Sequence, residues 1–338
     1  MNVLVFGAGA IGGYLGGSLA MHGHRVVFLE RAHNAPQLKN GFSLNLGEQI
    51  HKITNVEVLT SIEEGLKLSK FDITLFALKS YDTAAAMDAM RPHVAALPPF
   101  LCLQNGAENE AALAAVLGAD KVIAGTVTTS VAKDQPGQIR LERLRGVGLA
   151  AGHSLSEAIA TAFDQAGLNP ELYASADSMK WSKLLTNLLC NASCAILDMS
   201  PSDVMADPEL FGLEMMQLRE SLAVMKAQKL QVVDLPKTPV RALAFAASRL
   251  PLAVARPLMG RSVGRGRGGK MPSLHIDLHS GKGRSEVDWL NGAVVRAGRQ
   301  ANVETPVNTL LVETLTELIR QRTPARLTKA ELLRKLSY

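Results

Sequence analysis

Lys183, Asn187 and Asn191 recur at every fourth position of Lys180-Trp181-Ser182-Lys183-Leu184-Leu185-Thr186-Asn187-Leu188-Leu189-Cys190-Asn191. On a helix that spacing makes one polar stripe. Leu184, Leu185, Leu188 and Leu189 surround it with apolar surface. Buried polar groups without partners cost on the order of 1–3 kcal/mol each, so the stripe needs partners. One reading is a solvated face; the other is a face turned to a ligand, which the density of leucine favours. Burial moves a lysine's pKa down towards working pH, so such an ammonium is suited to giving up a proton.

A second constellation lies at the N-terminus. Gly7-Ala8-Gly9-Ala10-Ile11-Gly12 fits G-x-G-x-x-G, directly after the apolar run Asn2-Val3-Leu4-Val5-Phe6 and before the helical pattern Ile11, Leu15, Leu19. The motif carries weight only in that strand–turn–helix context, which is present here. The first glycine permits the tight turn and the second lets a pyrophosphate approach the backbone. The third permits close helix–strand packing, and the helix N-terminus attracts the phosphate charge. This is a dinucleotide site.

The ribose end is read at Leu29-Glu30-Arg31, where the second strand stops. A carboxylate there suits the 2′-hydroxyl of NAD, an arginine the 2′-phosphate of NADP. Arg31, with Lys79 as a second cation, favours NADP(H); Glu30 argues the other way. Lys79-Ser80-Tyr81-Asp82 and Gln104-Asn105-Gly106 follow strands, and ligands of open α/β sheets lie beyond such strand ends. A solvated lysine and an ordinary Asn-Gly turn are the alternatives for Lys79 and Asn105.

Positioning these groups requires two kinds of element. Strands at Asn2–Phe6, Arg25–Leu29, Ile73–Ala77, Phe100–Gln104 and Val122–Thr126 alternate with helical stretches, which predicts a doubly wound, Rossmann-like parallel sheet. Val127–Leu149, with its Pro136-Gly137 turn, reads as a hairpin, and a helix near Ser154–Ala166 closes the domain. Long helical periods follow at Met179–Leu197, Pro208–Gln228, Thr238–Arg249, Ser285–Gln300 and Pro306–Gln321. The expectation is therefore an α/β protein with a nucleotide-binding domain over 1–170 and an all-α substrate domain over 171–338. Gly260–Gly269 is expected to be the most mobile loop.

Composition agrees with an ordinary globular chain. Hydrophobic residues are 47% and charged residues 20% of 338, enough for two cores and no sign of disorder. The cysteines, Cys102, Cys190 and Cys194, form no C-x-x-C pair, which suggests a reduced, cytoplasmic protein. No basic leader precedes the first strand and no apolar run nears the ~18 residues of a membrane span. The net charge of +5 is local. It gathers at Arg256, Arg261, Arg265, Arg267 and Lys270, and again at Arg320–Lys335. Without aromatic residues among the first group there is no stacking platform, so nucleic acid is not expected as a partner. A phosphorylated cofactor and a carboxylate substrate are better matches for the charge.

Gly7–Gly12, Leu78-Lys79, Gln104-Asn105-Gly106, Trp181-x-Lys183-Leu184-x-x-Asn187-x-x-x-Asn191 and Ser273…Asp277…Glu286…Asn291-Gly292 occur in that order. The series resembles the ketopantoate reductases, the 2-dehydropantoate 2-reductases of pantothenate synthesis, over nearly the whole chain. The resemblance implies NADPH-dependent reduction of ketopantoate. Lys183 would be the general acid, Asn187, Asn191 and Ser273 would bind substrate together with it, and Glu286 would serve the catalytic centre and the cofactor end. Gly7, Ala8, Gly9, Ala10, Ile11, Gly12, Arg31, Lys79, Asn105 and Val131 would hold NADP(H). Hydride transfer to a ketone builds negative charge on oxygen, and a desolvated ammonium both stabilises it and supplies a proton.

Departures from the family pattern concern the substrate more than the reaction. The segment between Asp277 and Glu286 is one residue longer than usual, and the basic stretch 260–270 looks inserted. Another branched or aromatic 2-oxo acid is thus an alternative substrate. A non-catalytic NADP(H) sensor is a further alternative, though a sensor has no need of a proton donor. His275, Asp277 and His279 superficially resemble metal ligands, but a third ligand of known geometry is missing and hydride transfer needs none, so no metal is expected. Met215-Met216 suits a core or a homodimer interface.

Overall fold

The apolar run at the N-terminus forms the middle of a parallel sheet. The structure is a computed structural model describing residues 1–38, 41–47, 49–54, 56–267, 271–321 and 327–336, with backbone alone for 261–267. The chain divides into two units, Met1–Lys180 with Leu235–Thr238, and Trp181–Asp234 with Pro239–Tyr338.

In the first unit the strands are β1 (Asn2–Phe6), β2 (Arg25–Leu29), β3 (Phe42–Asn45), β4 (Ile50–Ile53), β5 (Glu57–Leu59) and β6 (Ile73–Phe76). They continue as β7 (Phe100–Cys102), β8 (Val122–Val127), β9 (Ser130–Gln135), β10 (Gln138–Arg143), β11 (Val147–Ala150) and β12 (Pro170–Tyr173). The helices are α1 (Ala10–Met21), α2 (Ala35–Leu38), α3 (Ile62–Leu68), α4 (Thr83–Met90), α5 (Asn109–Leu117) and α6 (Ser156–Gln165). The main sheet runs β12-β11-β8-β7-β6-β1-β2-β5, parallel except where β11 meets β8. Helices cover both of its faces. Residues of α1 and α6 share one core with Val3, Val5 and Leu75, and residues of α3, α4 and α5 share another with Leu4, Phe6 and Phe76. This is the Rossmann-like α/β class.

A second sheet, β4-β3-β10-β9, lies on the other side of α1. The expected hairpin is its β9–β10 pair, turning at Pro136-Gly137. Its β3–β4 partner was not anticipated, because those strands are four residues each and carry weak alternation. Sandwiching explains why α1 is glycine-rich all round: a Cβ on Gly16 would meet Phe28 at 2.7 Å, and one on Gly17 would meet Leu44 at 2.9 Å.

The domain break expected at 170/171 falls instead inside a strand. Pro170–Tyr173 pairs in parallel with β11, which keeps it in the sheet. The unit boundary lies ten residues later, within α7 (Ala176–Leu188).

The second unit is helical: α8 (Ala192–Leu197), α9 (Pro201–Ala206), α10 (Pro208–Ala227), α11 (Val240–Arg249), α12 (Leu252–Arg267), α13 (Ser273–His279), α14 (Asn291–Ala301), α15 (Pro306–Arg320) and α16 (Lys329–Leu336). Asp207 and Pro208 start the long α10, the Asp207 carboxylate accepting from the N–H groups of Glu209 at 2.9 Å and Leu210 at 3.2 Å. Met215 is buried in the core, whereas Met216 is 38% exposed.

Two expectations need correcting here. The Gly260–Gly269 stretch is not a loop throughout, because α12 runs through to Arg267. Glycine inside a helix costs only about 1 kcal/mol against alanine, so tertiary context can override it. Residues 268–270 lie outside the described ones. The single helix expected over Met179–Leu197 is two, broken between Leu188 and Ala192. No described helix is long and apolar enough to cross a membrane.

Candidate active site

The turn from β1 into α1 is built on two glycines. Gly7 has φ +91°, a region that L side chains rarely adopt. A Cβ on Gly12 would stand 2.0 Å from the Gly7 carbonyl oxygen, so only glycine lets the first turn of α1 close onto the strand. Gly9 differs. A Cβ there would meet no described atom within 4 Å, and no acidic residue stands in the first turn of α1. An open backbone face at an uncrowded helix N-terminus fits a pyrophosphate. Gly12→Ala should therefore lose about 1–3 kcal/mol of stability through overpacking. Gly9→Ala should keep its stability and weaken nucleotide binding. Thermal melting beside a nucleotide titration checks both, and an equal stability loss in the two variants would contradict the assignment.

At the end of β2 the neighbours Glu30 and Arg31 take separate directions. Glu30 turns onto its own backbone, accepting from the N–H groups of Ala8 and Arg31, each at 2.9 Å, and from Asn34 Nδ2 at 3.2 Å. Its charge thus braces the glycine turn. The Arg31 side chain is 54% exposed and pairs with Asp82 at 2.7 Å. It carries the positive charge at the ribose end. Val131, half-buried on β9, packs against the core that contains α1.

The loops after β6 and β7 are tied together. Asn109 Nδ2 donates to the Asn105 carbonyl at 2.7 Å and to Ser80 Oγ at 3.1 Å. Gln104 Nε2 reaches back to the Leu78 carbonyl at 3.0 Å and Thr83 Oγ1 at 2.8 Å. Lys79 and Asn105 are therefore held on adjacent, cross-braced strand ends. Beneath them Lys180, 3% exposed, donates to the carbonyls of Gln104 at 2.7 Å and Gly125 at 3.2 Å and pairs with Glu110 at 2.7 Å. Burial alone pulls the Lys180 pKa down, but the charge of Glu110 and its hydrogen bond act against it, and the net direction is up. Burial pushes the Cys102 thiol well up, which keeps it protonated. Neither Lys180 nor Glu110 was singled out from the sequence. Lys180 stands in the quoted motif, but nothing in its spacing names a partner 70 residues earlier.

In the second unit the polar stripe survives the helix break. Lys183 and Asn187 are half-buried on α7, one turn apart. Cys190 then takes a left-handed conformation (φ +52°), and Asn191 becomes the residue that opens α8. A buried carboxylate sets this break: Glu214 of α10 accepts from the Cys190 N–H at 2.6 Å and from the Ser193 hydroxyl. An anion at the head of α8 is also favoured by the helix dipole. Glu214 went unnoticed in the sequence because it looks like any surface glutamate of a long helix.

Asn191 is 5% exposed and spends its amide on the protein. Its Nδ2 donates to the Asn187 carbonyl at 2.9 Å and Ser273 Oγ at 3.3 Å, while its Oδ1 accepts from the Leu274 N–H at 3.0 Å. Asn187, Asn191 and Ser273 are thus brought together, with Lys183 one turn up the helix. Glu286, 2% exposed, is fixed through its backbone, its N–H donating to Asp277 Oδ2 at 3.3 Å. Asp277 is two residues from each histidine on α13 and so lies on another face of that helix, and the trio His275, Asp277, His279 does not assemble. Asp198 stands beside the two histidines instead.

Comparison with known proteins identifies the family. Residues 3–152 match the family model "Ketopantoate reductase PanE/ApbA", and residues 175–319 match its C-terminal counterpart. A 2-dehydropantoate 2-reductase of Halobacterium salinarum is 28% identical over 331 residues, covering 95% of this chain and 98% of that protein. Its counterpart in Pyrococcus horikoshii is 26% identical over 92% of this chain and 95% of its own length. Among solved structures, a PanE/ApbA family ketopantoate reductase from Ralstonia eutropha superposes with a TM-score of 0.80 at 26% identity, covering 95% of this chain and 99% of that one. D-mandelate dehydrogenase with NADH and anilino(oxo)acetate gives a TM-score of 0.78 at 19% identity, over 95% and 99% of the two chains, a likeness of fold alone.

Proposed function

The chain belongs to the ketopantoate reductase family, and from that premise we propose that it reduces 2-dehydropantoate to (R)-pantoate with NADPH. Family membership makes it a pyridine-nucleotide-dependent oxidoreductase acting on a CH–OH group. The observation that carries the finer reading is the set Asn187–Asn191–Ser273, bonded through Asn191, with Lys183 one turn before Asn187 on α7. A 2-oxo acid needs hydrogen-bond donors for its carboxylate and an acid for its ketone, and this face offers both.

The glycine turn fits a dinucleotide, with Arg31, Lys79 and Asn105 at the strand ends around it and Val131 nearby on β9. A bound dihydronicotinamide supplies the hydride. The other tasks fall to the chain. Lys183 gives a proton to the ketone oxygen as carbon C2 accepts the hydride, which turns the ketone into a hydroxyl and leaves a neutral amine for water to reprotonate. Before that, its charge offsets the negative charge growing on oxygen. Asn187 and the Ser273 hydroxyl orient the acid. Asn191 holds those two in register, and Glu286, anchored through Asp277, borders the catalytic centre.

Arg31 is the residue assigned to the 2′-phosphate, which would replace Asp82 as its partner. Removing one charge-assisted contact should cost ~1.5–3 kcal/mol in NADPH binding and little in NADH binding. Affinities for both nucleotides in Arg31→Ala test this. Equal losses would mean that Arg31 does not read the phosphate, and a wild type that prefers NADH would hand the ribose end to Glu30.

Substrate identity is tested by NADPH oxidation against a panel of 2-oxo acids. Ketopantoate is expected to show the highest kcat/KM. A higher value for a bulkier branched or aromatic acid would reassign the substrate, and no turnover of any acid would overturn the reading.

A further inference from the structure

We propose that Asp198, His275 and His279 form a binding site for a divalent transition metal of the zinc class. The three come from two separate stretches of the second unit's sequence. His275 and His279 are four apart on α13 and so lie on one face of it. Their rings sit side by side with centroids 4.1 Å apart. Asp198 follows the last residue of α8 and has left-handed backbone geometry (φ +51°, ψ 45°), a conformation that aspartate adopts more readily than most residues.

Both imidazoles address one carboxylate oxygen. His275 Nε2 lies 2.7 Å from Asp198 Oδ1, and His279 Nε2 lies 3.9 Å from the same atom. One ligand atom from each of the three residues falls within 4.8 Å of the other two. Tetrahedral zinc with bonds of about 2.0–2.1 Å spaces its ligand atoms roughly 3.3 Å apart, so a bound ion needs shifts of about 0.6 Å at the two Asp198 contacts and up to about 1.5 Å between the histidines, within reach of side-chain rotation. Two neutral imidazoles and one carboxylate are a favourable donor set for zinc, and imidazole is a general ligand for the neighbouring transition metals. His275 and Asp198 are largely sheltered, with side chains 14% and 19% exposed, while His279 is 35% exposed. The fourth position therefore opens to solvent, where water can fill it.

The site is separate from the polar stripe. Asn191 and Asp198 flank α8 at its two ends, about 10 Å apart at 1.5 Å per residue. At the first end Asn191 bonds Ser273 and Leu274 at the start of α13. A metal at the second end would clasp the same two helices again through His275 and His279. The sequence alone offers Asp277 as the third ligand, and that residue is engaged with Glu286.

The test is Zn2+ titrated into the chelator-treated full chain in competition with a chromophoric chelator, with Co2+ as the spectroscopic probe. One equivalent of Zn2+ should bind, and Co2+ should give the intense visible bands of a four-coordinate site. His279→Ala and Asp198→Asn should each weaken binding by at least about tenfold, one of three protein ligands being lost. His279→Cys, which restores a zinc ligand, should recover it. Recovery by cysteine separates lost coordination from a damaged fold, as does circular dichroism of each variant. The proposal is overturned by a wild type that binds no Zn2+, by unchanged binding in His275→Ala/His279→Ala, or by no recovery in a folded His279→Cys.

Discussion

Lys183→Ala is expected to lower turnover by ~10² or more at saturating acid and nucleotide, since general acid catalysis typically contributes that much. The residue is half-buried on α7, between the buried Ser182 and Leu184. Partial burial lowers the screening by water and makes its charge count for more at a nearby oxygen. Lys183→Arg should be nearly as impaired, because guanidinium keeps the charge but does not release a proton at neutral pH. A small alkylamine added to Lys183→Ala should restore part of the rate. Near-normal turnover in a folded Lys183→Ala protein would remove Lys183 from the mechanism.

Lys180→Met is expected to destabilise the first unit by about 3–5 kcal/mol, the usual consequence of breaking a buried ion pair from one side. Glu110 keeps some contact with solvent, its side chain being 19% exposed, so the lower end of that range is expected. The carbonyls of Gln104 and Gly125 lose a donor in the same step. Nucleotide binding should weaken as well, because Gln104 precedes Asn105. Replacing both charges, as in Lys180→Met with Glu110→Leu, should recover much of the stability, since no lone buried charge remains. The pH dependence has a definite sign. Raised in the folded state, the Lys180 pKa makes its contribution complete below the ordinary value of 10.5 and lost as pH rises through the higher folded value. Urea unfolding at neutral and strongly alkaline pH reads both effects. A single variant as stable as wild type at neutral pH would show that Lys180 does not hold the loop.

The nucleotide half was legible because its signals are local. A strand, a turn and a helix lie within some twenty residues, and the glycines report steric facts of that turn alone: Gly7 its left-handed backbone, Gly12 its contact with the Gly7 carbonyl. The adjacency of Glu30 and Arg31 left the ribose end open. The fold separates them, because Glu30 reaches the Ala8 N–H while Arg31 points outward. No periodicity encodes which of two neighbouring side chains turns inward.

The fourfold spacing of Lys183, Asn187 and Asn191 was visible in the chain, but the helix that would carry it unbroken does not exist. A carboxylate on α10, Glu214, holds Cys190 in its left-handed turn, and Asn191 reaches Ser273 from the far side of the break. Residue types and their order along the chain determined the family and the general reaction, and they nominated the members of the candidate site. Tertiary structure decided which of those members touch and which others support them. Lys180 beneath the Gln104 loop, Glu214 under the helix break and Asp198 beside two histidines each depend on partners from 21 to 81 residues away. Contacts of that range arise from packing, and no local pattern in the sequence records them.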